Sequence, residues 1–105
     1  MMSAAYVREL QEVILHLHGV ESKHVESVPV KETFQGKTVW DGVVEVFELR
    51  GHPKAKKVYG WRHETTSKNP RYVTVLHIPP VVSPATAVKA SIIQEFRNLE
   101  PTKEN

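Results

Sequence analysis

Basic residues run directly into aromatic ones over one short stretch of the chain. Arg50, His52, Lys54, Lys56 and Lys57 lead to Tyr59 and Trp61, and Arg62, Lys68 and Arg71 follow. Cations neutralise phosphates and flat rings stack on bases, so this is the combination that single-stranded nucleic-acid recognition requires. Residues 50 to 71 hold seven Lys or Arg against one Glu, a charge of +6 in a chain whose net charge is +2, which leaves −4 elsewhere. The same residues have an ordinary reading. Loop lysines keep a protein soluble, and the alternation that aligns Tyr59 with Trp61 serves a core equally well. The candidate binding set is Lys54, Lys57, Tyr59, Trp61, Arg62 and Arg71.

Six histidines invite a search for metal or acid-base chemistry. His16 and His18 are two apart on a predicted helix, roughly 200° around it, and cannot chelate one ion together. His24 and Glu26 share a face of a predicted strand, and His52 and His63 could approach from neighbouring segments, but neither spacing matches a metal site. His63, Glu64 and His77 are the only set with the residue types of a hydrolytic site, and adjacent residues of a strand point to opposite faces, which separates His63 from Glu64. Asp41 and Glu45 share a strand face about 13 Å apart, too far for a paired acid and base. There is no Gly-rich phosphate loop and no nucleophile elbow. The expectation is no metal, no cofactor and, on balance, no catalysis.

The elements that position these residues follow from pattern. Thr38 to Arg50 is the densest apolar and β-branched stretch and reads as a central strand, with Trp40, Val44 and Val46 on one face and Val39, Val43, Phe47 and Leu49 on the other. Charges interrupt each face in a different half, so the buried side is expected to switch near Val46 and Phe47 through a bulge, with Gly42 as a second bend. His24 to Phe34 reads as an edge strand, because Pro29 cannot donate to a ladder. The turn Gln35-Gly36-Lys37 joins the two, and a three-residue loop would set Val28 opposite Val44 and Val30 opposite Gly42. Lys56 to Glu64 and Arg71 to Ile78 give two further strands.

Helices flank the strands. From Ser3 to His18 the residues Val7, Leu10, Val13, Ile14 and Leu17 form one apolar stripe; Leu15 falls off it, and Gly19 is the stop. Ser83-Pro84 opens the second helix with a capping hydroxyl and a proline at the first helical position, and Val88, Ile92, Phe96 and Leu99 continue at helical spacing. The order differs by one strand from the double-stranded RNA-binding domain, and Ser83-Pro84-Ala85-Thr86 lacks the lysines that such a domain places on phosphates, so no family is assigned.

At 105 residues, 40% apolar and 25% charged, the chain is expected to be one α+β domain over 1–100 with a disordered tail over 101–105. The absence of cysteine excludes disulfides and thiolate metal sites, and no run approaches the ~18 apolar residues of a membrane span, so a cytoplasmic, non-membrane protein is expected. The predicted fold is a two-layer sandwich: a four-stranded antiparallel meander with both helices packed on one face. Apolar residues on both faces of the central and fourth strands then predict a binding module that uses the helix-free face, for a protein partner or a second copy. Nucleic-acid binding through segment 50–71 is the second expectation, and a small enzyme the third.

Overall fold

The computed structural model describes residues 4–63 and 71–99, with element order α1 (Ala4–His18), β1 (Ser22–Phe34), β2 (Lys37–Leu49), β3 (Lys57–His63), β4 (Arg71–Leu76) and α2 (Pro84–Leu99). The expected tail lies outside the described residues, as does Glu64. The strands form one antiparallel meander in the order β1-β2-β3-β4, so the fold is α+β with the predicted topology. The local stops and starts are those the residues dictate. Gly19 takes φ +73° and donates its N–H to the Leu15 carbonyl at 2.9 Å, closing α1. At the start of α2, the Ser83 hydroxyl accepts the Thr86 N–H at 3.2 Å, and the Thr86 hydroxyl in turn accepts the Ser83 N–H at 2.9 Å.

The β1–β2 hairpin turns on two residues rather than three. Gln35 and Gly36 both have positive φ, +53° and +79°, the signature of a tight primed turn, and Phe34 pairs with Lys37. Val28 nevertheless faces Val44 and Val30 faces Gly42, as expected, because an extra residue in β2 between Thr38 and Trp40 restores the offset that the shorter loop removes. A second irregularity lies in β1, where Val25 is the extra residue between His24, paired with Phe47, and Glu26, paired with Val46.

The helices occupy opposite faces of the sheet, which corrects the expectation that both cover one. Leu10 and Ile14 of α1 pack on Phe47 and Val58, whereas Ala87 and Val88 of α2 pack with Val44, Val46, Tyr59 and Trp61. Val46 and Phe47 are neighbours in a strand and point in opposite directions, so the two clusters lie on opposite sides. Val44, Glu45, Val46 and Phe47 are consecutive and all buried, which only a strand covered on both faces can achieve. No bulge interrupts β2 at Val46, and the apparent switch of buried face is a centre buried on both sides. The molecule is therefore a helix–sheet–helix arrangement of three layers, and the centre of the sheet has no helix-free face.

Gly60 lies under α1: a Cβ there would sit 3.4 Å from Leu10 Cδ2 and 3.8 Å from Phe47 Cε1, in van der Waals contact with both. Leu10 is fully buried. Among the described residues no helix is long and apolar enough to cross a membrane.

Candidate functional site

The basic-aromatic set separates in space. Tyr59 and Trp61 are 3% and 2% exposed and belong to the core beneath α2, with Trp40 meeting Trp61 edge-on at a ring separation of 5.5 Å. Neither ring presents a face on which a base could stack, and this corrects that part of the expected surface. The Tyr59 hydroxyl lies 2.6 Å from His77 Nδ1, in a hydrogen bond, and burial, helped by the charge of Glu26, pushes the phenol's pKa up. Tyr59 is thus held as a neutral phenol. Lys54, Lys57 and Arg62 are exposed, and the Arg71 side chain lies outside the described residues. The pairing of Lys23 with Glu48 and of Glu48 with Lys57 brings two cations to one end of the sheet with a carboxylate between them. His52 serves the loop itself: its Nδ1 accepts the N–H groups of Lys54 and Ala55, each at 3.0 Å.

A polar cluster that sequence reasoning missed sits on the α1 face. Glu45, fully buried, accepts the Ser27 hydroxyl at 2.5 Å on Oε1, and His24 Nε2 lies 2.7 Å from the same oxygen. Oε2 is buried and has no hydrogen-bond partner. The cause is the extra residue Val25. It turns His24 to the face of Ser27 and Phe47 and leaves Glu26 on the other, which overturns the expected sharing of a face by His24 and Glu26. The His24 ring also rests against Phe47 at 5.3 Å.

A carboxyl that orients an imidazole is half of an acid-base device. The other half is missing here, because the Ser27 hydroxyl bonds to the carboxyl rather than to the imidazole, so no nucleophile rests on a base. The arrangement ties β1 to β2 at the bulge. Of the expected set His63, Glu64 and His77, only the His77 side chain is among the described residues, and it is hydrogen-bonded to Tyr59. Among the described residues no group of three or more His, Cys, Asp or Glu is placed to hold a metal ion.

The third feature is the outer edge of β4. Along it, Glu9, Glu12, Val13, His16 and Leu17 of α1 together with Tyr72 line a groove of about 540 Å³. The Tyr72 hydroxyl donates to Glu9, and His18 Nε2 lies 2.9 Å from Thr74 Oγ1, so α1 is fixed alongside β4 at two points. Leu17, expected in the buried stripe, is 59% exposed, and Leu15 is exposed as its place off the stripe implied. Burial, with a smaller contribution from His52, holds the His18 pKa below the ordinary histidine value of 6.5. The native state therefore binds fewer protons at His18 than the unfolded chain does, and stability should fall as pH drops through 6.5. His18→Gln should flatten the curve of urea midpoint against pH between neutrality and pH 5. An unchanged slope would place the imidazole in water.

Comparison with protein-family models, curated proteins and solved structures found no match for the chain. The fold and the three features above are what define it: a three-layer α+β protein with a tied bulge, a basic loop and, among the described residues, a β4 edge with no strand paired to it.

Proposed function

We propose that the chain is a non-catalytic interaction module whose docking surface is the free edge of β4 and the groove between that edge and α1. The observation that carries the reading is that, among the described residues, nothing guards this edge. Sheet edges invite pairing, and proteins blunt them with prolines, bulges and charges. The opposite edge, β1, has all three in Pro29, the bulge at Val25, and Lys23 and Lys31. Between Tyr72 and Leu76 β4 has none of them. This surface replaces the helix-free face expected from sequence.

Catalysis is the poorer reading because, among the described residues, the buried carboxyl of Glu45 takes the Ser27 hydroxyl itself and no hydroxyl is hydrogen-bonded to the His24 imidazole. Phosphate-bearing ligands come second: Lys54 and Lys57 remain available for charge, but the rings that would have read bases are in the core. Leu17→Glu tests the preferred reading, since charge at a position 59% exposed costs little stability. The variant should melt like the native protein and lose the complexes that the tagged full chain forms on native gel filtration. Complexes of undiminished size would put the docking surface elsewhere.

A further inference from the structure

We infer that the occupant of this edge is a second copy of the chain, paired antiparallel through β4 about a two-fold axis at Thr74. The inference rests on the docking surface proposed above and names its partner.

The backbone directions come first. His77 donates its N–H to the Lys57 carbonyl of β3 at 2.9 Å. Amide direction alternates along a strand, so Val73 and Val75 also point toward β3 while Tyr72, Thr74 and Leu76 point outward. The Val73 carbonyl, 3.6 Å from where a Cβ on Gly60 would lie, agrees with that assignment. The Leu76 carbonyl already accepts the Ile78 N–H at 2.9 Å, which leaves the Leu76 N–H and both backbone groups of Thr74 and Tyr72 to face outward. An antiparallel pair centred on Thr74 lets Thr74 exchange both hydrogen bonds with the partner's Thr74, and lets the Leu76 N–H reach the carbonyl of the partner's Tyr72.

The side chains are self-complementary about the same axis. Tyr72 faces the partner's Leu76 and Val73 faces the partner's Val75, an aromatic–aliphatic and a β-branched pair with no like charges opposed. A two-fold perpendicular to the sheet keeps both α1 helices on one face, running antiparallel. The N-terminal part of α1 lies near Arg62 and Tyr72, since Tyr6 accepts the Arg62 N–H at 2.9 Å and Glu9 accepts the Tyr72 hydroxyl. Its acidic residues Glu9 and Glu12 therefore meet the end of the partner helix that carries His16 and Leu17. Carboxylates face imidazoles, and each exposed Leu17 gains an apolar neighbour along the groove. Such a contact uses one patch twice and closes on itself.

Sedimentation velocity of the full chain over a wide concentration range tests this, with Leu17→Glu and Thr74→Pro as variants. Proline at Thr74 removes an outward N–H and leaves the bonds to β3 intact. The expected result is a particle of twice the monomer mass that both variants return to monomer, with amide exchange at Thr74 and Leu76 slowed in the dimer. A monomer at every concentration overturns the second copy as occupant, and if Leu17→Glu still abolishes mixed complexes the docking surface stands with another protein on it. A dimer that survives both variants overturns the pairing and the surface together. Should Thr74→Pro unfold the chain, Leu17→Glu decides alone.

Discussion

Replacing Trp61 with alanine is expected to lower the stability of the protein by about 3–5 kcal/mol, the usual cost of emptying a buried aromatic site. The ring is 2% exposed and sits where β3 meets α2, against Trp40 and the cluster that contains Val44, Val46 and Val88. Trp61→Phe should behave differently. The indole Nε1–H is buried and has no acceptor, so removing it relieves an unsatisfied donor while most of the ring contact is kept. The two effects oppose each other, and a net change within about 1.5 kcal/mol follows. Urea denaturation of the two variants, read as midpoints at an unchanged slope, checks both values. A loss below about 1 kcal/mol for the alanine variant would return the ring to the surface, and with it the base-stacking reading.

The second large effect concerns Glu45 and has an asymmetric sign. Removing both partners of its Oε1, in the double variant His24→Ala with Ser27→Ala, leaves a fully buried carboxyl with neither hydrogen bond, and about 3 kcal/mol should be lost. Glu45→Met should cost far less, less than about 1 kcal/mol, because an apolar side chain of similar volume suits the site between Phe47 and α1, and the groups left behind reach water. His24 can do so because its side chain is already 29% exposed. Full denaturation curves for the single and double variants separate the two hydrogen bonds. If Glu45→Met proves the most damaging, the carboxyl stabilises the fold outright and the bulge is its consequence rather than its cause.

These two sites show what a reading of the residues could reach. The hairpin register was legible although its loop was not: the two-residue turn at Gln35-Gly36 and the extra residue near Val39 are opposite offsets that cancel by Val28 and Val44. The bulge at Val25 left no such trace. One added residue moves His24 to the other face, and no local composition marks that position, so the pairing of His24 with Glu45 was hidden. Glu45 itself interrupts an apolar strand, which was the single visible sign that something polar had to meet it. Tyr59 and Trp61 were legible as sharing a face, but the residues that bury them, Val81, Ala87 and Val88, come twenty or more positions later in the chain.

By itself the sequence determined the number and type of the elements, both helix boundaries to within a residue and the antiparallel meander, because hydrophobic period, capping hydroxyls and turn glycines act over a few residues and need no distant partner. Only the tertiary structure decided which side of the sheet each helix takes. Both helices are amphipathic and the middle of β2 is apolar on both faces, so placement on one side or on two satisfies the same pattern. The choice rests on fit across the chain, with Leu10 and Ile14 packing on Phe47 and Val58 on one face and Trp61 packing beneath α2 on the other. That choice removed the open sheet face from the centre of the fold and moved the proposed docking surface to the edge of β4.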